Sequence, residues 1–313
     1  MDADKIRNAC VVARAHGFRY IWIDSCCIDK TSISEAINSM FSWYRKSAIC
    51  YAYLADVPAV AAHEKFPQSR WFTRGWTLQE LIAPRHLVFL TSEWRTMGTK
   101  TTLAWKVEKI TGIDYLVLVD RQSLDDVGVA RRMSWASKRQ TTRVEDEAYS
   151  LLGIFNIKMP TVYGEGRGAF RRLQEEIMRR IPDQSIFALG GILAATFPLL
   201  SSDTHLDGEH PKDPDGFMAT SPRDFHLSGS IRPVPLDEFS RRCGNVSNLP
   251  LIGFTSSPYG ICVEFPMIPF CECIEPNYIA RLPHSRGRLP HLWLVLLACE
   301  HAAHPGCLLA RVC

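Results

Sequence analysis

The chain has 313 residues, 46% hydrophobic and 22% charged, the balance of a soluble globular protein of about two domains. Its 36 Lys+Arg against 33 Asp+Glu leave a net charge of +3 with no long basic run, which excludes an electrostatic nucleic-acid binder. Met1-Asp2-Ala3-Asp4 opens acidic and polar, so no secretory leader is read. The longest apolar stretch, Ile186 to Leu200, is too short for a membrane span and is broken by Gly190, Gly191 and Pro198. It reads as a buried strand and turn. Eleven cysteines in such a chain are expected to be reduced thiols of a cytoplasmic protein.

In chain order, Ile6, Ala9, Cys10 and Ala13 recur at helical spacing, with Gly17 where a helix would stop. Tyr20-Ile21-Trp22-Ile23-Asp24 is apolar on both faces and predicts a parallel strand ending in a carboxylate. Ser32 with Glu35 fits a capping box opening a helix whose apolar face carries Ile37, Met40, Phe41, Tyr44 and Ala48. Ile49 to Leu54 and His86 to Leu90 are the next strands. Helix alternating with strand argues for an α/β layer with a parallel sheet, whose ligands gather at the carboxyl ends of strands.

Between those two strands stands Arg70-Trp71-Phe72-Thr73-Arg74-Gly75-Trp76-Thr77-Leu78-Gln79-Glu80. This is the segment with the densest chemistry. Trp76 and Glu80 are four apart and share a helix face. Trp71 and Trp76 offer large rings, and Arg70 and Arg74 offer planar cationic forks suited to phosphate or carboxylate. The mixture suits a nucleotide site, and it equally suits a salt-bridged structural corner. Pro84 is expected to end the short helix.

Further on, Leu103 to Ile110 and the set Val129, Arg132, Met133 and Ala136 predict helices. Thr142 with Glu145 predicts a capping box for a helix from Val144 to Phe155. An apolar stripe of Phe170, Leu173, Ile177, Met178 and Ile181 marks a helix from about Gly166, closed by Pro182. After Asp183 come short apolar runs at Phe217-Met218, Ile252 to Phe254, Ile261 to Phe265 and Leu292 to Cys299, the pattern of a β-rich region, with Ser201 to Gly216 a surface loop.

Gly164-Glu165-Gly166-Arg167-Gly168 lacks the Lys-Ser/Thr of a phosphate loop and reads as a flexible helix entry. Cys271, Cys273, His284, His291, Cys299, His301, His304 and Cys307 do not repeat a zinc spacing, so no metal is expected. Cys26-Cys27 reads as core filling.

Three blocks, GFRYIWIDSCCIDK (17–30), AINSMFSWYRKSAICYAYLADV (36–57) and SRWFTRGWTLQELIAPR (69–85), resemble in order and spacing the HET, or heterokaryon-incompatibility, domain of filamentous fungi. Residues 133–174 resemble the helical region that follows it in such proteins, and SPRDFHLSG (221–229) resembles a piece of their C-terminal part. Family members usually begin with a strand of the form Y-x-x-L-S-H-x-W, so the sheet of this chain is expected to lack that strand.

The resemblance implies non-self recognition and programmed cell death. It also implies a TIR-like, flavodoxin-like parallel sheet flanked by helices over residues 1–115, a helical region over 116–185 and a β-rich region over 186–313. Some TIR domains cleave the glycosidic bond of NAD with one glutamate, and Trp76-x-x-x-Glu80 resembles their segment. This assigns Glu80 as the catalytic carboxylate, with Asp24, Arg70, Trp71, Arg74 and Trp76 around the dinucleotide. NAD would be a substrate, and no bound cofactor is implied. The competing expectations are a non-enzymatic module that self-associates or joins other cell-death proteins, and an inert truncated relative.

Overall fold

The computed structural model describes residues 3–189, 193–195, 217–243, 254–257, 260–269 and 293–312. Its helices in chain order are α1 (Ala3–Ala15), α2 (Asp24–Cys27), α3 (Ile33–Lys46), α4 (Ala62–Lys65), α5 (Thr77–Ile82), α6 (Ala104–Thr111), α7 (Tyr115–Leu118), α8 (Val129–Ser134), α9 (Asp146–Tyr149), α10 (Gly168–Arg180) and α11 (Leu236–Arg242). The strands are β1 (Cys50–Tyr53), β2 (Leu87–Leu90), β3 (Thr96–Thr99), β4 (Leu193–Ala195), β5 (Ile231–Pro233), β6 (Phe254–Ser257), β7 (Gly260–Val263), β8 (Met267–Pro269), β9 (Trp293–His301) and β10 (Leu308–Val312). They divide into two compact units, residues 1–124 with 139–169, and residues 125–138 with 170–313.

The first unit is α/β. Its sheet has the order β1-β2-β3. β1 and β2 run parallel, with Tyr51 beside Val88 and Ala52 beside Phe89. All four β2 residues are buried, which is why that strand reads as an unbroken apolar run. β3 pairs antiparallel to β2 and makes the sheet mixed, where an all-parallel one was expected.

Helix α1 ends as its sequence predicts, with Gly17 at φ 82°, and α3 buries Ala36, Ile37, Met40 and Tyr44. Ser32 makes no side-chain cap, because a short 3-10 turn, Lys30–Ser32, precedes α3 and its own cap is Asp29, which accepts from the Thr31 N–H. Tyr20–Ile23 is not a strand. The Ile23 carbonyl accepts from the Cys26 and Cys27 N–H groups at 3.2 and 2.9 Å, and its N–H donates to Cys27 Sγ. The groups a ladder would use are committed to the one-turn helix α2.

The expected helix from Val144 to Phe155 shrinks to α9 followed by turns. The Glu145 carboxylate, instead of capping, accepts from the Gly164 and Gly166 N–H groups at 2.8 and 3.1 Å. Those glycines stand at φ 105° and 59°, conformations that favour glycine, so the Gly-rich run is a turn wrapped on an internal carboxylate. Gly153 is needed for contact: a Cβ there would lie 2.1 Å from Phe41 Cβ. Gly153→Ala is therefore expected to cost about 1–3 kcal/mol through overpacking. A urea midpoint equal to that of the unaltered protein would contradict the placement of this turn.

The second unit holds an antiparallel sheet of order β4-β10-β9-β5, with β8 also pairing β9, and a separate β6–β7 hairpin. Its core includes Leu294 to Cys299, Leu308 to Ala310, Ile231 and Phe239. The β-rich expectation holds for β6, β7 and β9. Phe217-Met218, however, is a turn, because a capping box follows in which Asp224 accepts from the Thr220 and Ser221 N–H groups. The Ser201–Gly216 loop lies outside the described residues, as do Ile252 and Gly253. Gln184 to Phe187 forms a 3-10 turn where the Ile186–Leu200 stretch begins, and β4 is the described strand within that stretch.

Candidate functional site

Helix α5 has only six residues, too few to be stable alone, so both ends are held by groups from distant sequence. At its start the Thr77 hydroxyl hydrogen-bonds the Trp71 and Arg74 carbonyls, and the Arg139 guanidinium donates from Nη1 to the Arg74 carbonyl and to Thr77 Oγ1, each at 2.9 Å. At its end the Lys100 ammonium donates to the Pro84 and Ile82 carbonyls. Lys100 is 1% exposed, and burial draws it down to about 8. A cation on the last carbonyls of a helix also suits its dipole.

Glu80 projects from this braced turn. The residue keeps some solvent exposure, yet its carboxyl is desolvated enough to be pushed up to about 7. Burial is the largest cause and the charge of Asp24 adds to it, while Arg74, Arg139 and Lys5 oppose it. The surroundings respond in turn. Burial and then Glu80 raise the Tyr44 phenol, and burial and then Glu80 push the Cys50 thiol up to about 12. Lys5 belongs to α1, Asp24 to α2, Tyr44 to α3 and Cys50 to β1, so these elements converge on one carboxyl.

Of the residues read from sequence, Glu80, Asp24 and Arg74 are brought together. Asp24 is exposed, and its Oδ1 accepts from the Ser25 N–H at 2.6 Å. Arg70 is exposed on a 3-10 turn whose amide donates to Asp56 at 2.8 Å. Trp71 is 6% exposed and packs edge-on against Phe72 and Phe89, with ring centroids 5.3 and 5.7 Å away. The Trp76 side chain favours the charged form of Asp146, whose Oδ1 accepts from the Tyr163 hydroxyl at 2.9 Å. The two tryptophans thus look in different directions.

Arg139 was not foreseen. It stands 62 residues from Thr77 and reaches it because residues 139–141 lie along 73–75. The Gly75 N–H donates to the Gln140 carbonyl at 2.8 Å, and the Gln140 N–H to the Thr73 carbonyl at 2.6 Å. A Cβ on Gly75 would come within 2.4 Å of Thr141 Cγ2, so the glycine between Arg74 and Trp76 permits the close approach. No single-segment pattern carries that signal.

A family model described as Heterokaryon incompatibility protein (HET) matches residues 3–61. The vegetative incompatibility protein HET-E-1 of Podospora anserina is 44% identical over 186 residues, an alignment covering 56% of this chain and 14% of that protein. The chain carries a HET-family domain at residues 3–61. A second model, a domain of unknown function (DUF8212), matches residues 168–313 of this HET-domain chain. No solved structure matches it.

Among the described residues of the HET-domain chain, no three His, Cys, Asp or Glu side chains are grouped to hold a metal, and no helix is long and apolar enough to cross a membrane. Cys271, Cys273, His284 and His291 lie outside those residues. Cys10, Cys26, Cys27, Cys50, Cys243, Cys262, Cys299 and Cys307 are free thiols, and Cys26 and Cys27 are exposed rather than core filling.

Proposed function

We propose that this chain acts in the cytoplasm in heterokaryon incompatibility and cell death, and that Glu80 cleaves the nicotinamide–ribose bond of NAD. The observation that carries the chemistry is the Glu80 carboxyl, desolvated to about 7 beside Asp24, Arg74 and Arg139. The likeness to a vegetative incompatibility protein supports the biological role. The parallel β1–β2 pair, with α5 in its crossover, supports a TIR-like, flavodoxin-like arrangement.

In the reaction the C1′–N bond breaks and its electron pair leaves with nicotinamide. The ionised Glu80 stabilises or traps the oxocarbenium-like ribose, as carboxylates do in glycoside hydrolysis. Water then adds at C1′ and gives up its proton, so NAD and water yield ADP-ribose, nicotinamide and H⁺. Arg74, exposed and acting on the charge of Glu80, would pair with the pyrophosphate. Incubating the purified chain with NAD and following nicotinamide is expected to show release that rises as pH passes about 7. No release at any pH would overturn the hydrolase.

A second reading, a self-associating module that kills without catalysis, is favoured by exposed Tyr20, Trp22 and Trp43, at 87%, 36% and 40%. Killing that survives Glu80→Gln would select it.

A further inference from the structure

We propose that Arg139 is the positioning residue of Glu80, carried by the 139–141 segment to the start of α5 and fixing the helical turn from which Glu80 projects. The role rests on the hydrolase reading, although its test does not.

The geometry is a chain of short links. Arg139 binds Thr77, and Thr77 and Glu80 are three apart on α5, so both lie on the face of the helix where side chains stand one turn from each other. The guanidinium is also tied to the Arg74 carbonyl, and its neighbour Gln140 is fixed by the hydrogen bonds to Thr73 and Gly75. It therefore cannot leave α5 without breaking that pairing.

The groups facing Glu80 make the case for Arg139 over other cations. Tyr44 and Cys50 are neutral when protonated, and Asp24 repels. Lys5 and Arg74 also attract, Arg74 more strongly than Arg139, but both are exposed, where water screens them and neither side chain is held against α5. Arg139 is 6% exposed and acts through a drier path. The dependence is mutual, since burial draws Arg139 down to about 9 and Glu80 opposes that.

The experiment is a pH titration of glutamate carboxyl carbons by NMR in the full chain, with Glu80 assigned by its loss in Glu80→Gln. Arg139→Gln is expected to raise the Glu80 midpoint by about one pH unit, the effect of losing a buried opposite charge and the brace at the start of its helix. Arg139→Lys should keep it near the original value. Thr77→Val, which removes one Arg139 acceptor, should raise it by less. An unmoved midpoint in a cooperatively melting Arg139→Gln overturns the role. If that variant does not melt cooperatively, an unmoved midpoint in Thr77→Val does so instead.

Nicotinamide release in the same proteins separates the two readings. A raised midpoint without NAD cleavage keeps the positioning role and sinks the hydrolase, and cleavage with an unmoved midpoint does the reverse.

Discussion

Glu80→Gln is expected to lower nicotinamide release by ~10²–10⁴-fold while leaving the protein folded, because the amide matches the carboxylate in shape but cannot balance a developing positive charge. The same change gives a second reading, on stability. The folded-state value of about 7 lies above the ordinary 4.5. Between the two, the unfolded chain has released a proton that the folded chain keeps, so the unfolded state binds fewer protons and stability falls with rising pH. The contribution of Glu80 is whole below about 4.5 and lost by about 7. Glutamine does not titrate, so the variant should gain on the unaltered protein across that window, by up to ~3 kcal/mol. Denaturant midpoints of the two proteins at a series of pH values measure this. Parallel curves would show that Glu80 is not desolvated, whatever happens to NAD.

Trp71→Ala is expected to destabilise the first unit by about 3–5 kcal/mol, the cost of removing a large ring from a packed core. Phe66 meets Phe72 and Phe89 edge-on, and Trp71, at 6% exposure, adds edge-on contacts to the same two rings. Trp71→Phe keeps part of the packing and should lose less. If Trp71 instead stacked on a dinucleotide, the alanine variant would melt nearly unchanged and lose affinity for NAD. Thermal melts beside a binding titration tell these apart.

The contrast between Trp71 and Glu80 shows what the chain makes legible. Periodicity located α1, α3, β1 and β2, because each buries a face whose spacing is written in adjacent residues. It also indicated that Glu80 would lie on a helix. It did not indicate that Trp71 faces the aromatic core while Trp76 turns to Asp146, since an indole's direction depends on partners elsewhere. Capping patterns misled at Ser32 and Glu145 for a related reason. Asp29 starts its own turn ahead of Ser32, and Glu145 has better donors in Gly164 and Gly166. Tyr20–Ile23 carries the apolar signature of a strand, but α2 takes the backbone groups of Ile23. Arg139 was invisible because its partners lie 62 and 65 residues back in the chain.

The bracing of α5 also has a consequence in time. Its six residues gain little from local hydrogen bonds, and the groups that fix its ends arrive with Lys100 at the close of β3 and with Arg139 much later. Loop closure over such separations is the slow part of folding. The turn bearing Glu80 is therefore expected to be among the last pieces of its unit to become rigid, and a chain emerging residue by residue is expected to leave that glutamate unformed until the segment around residue 140 has docked.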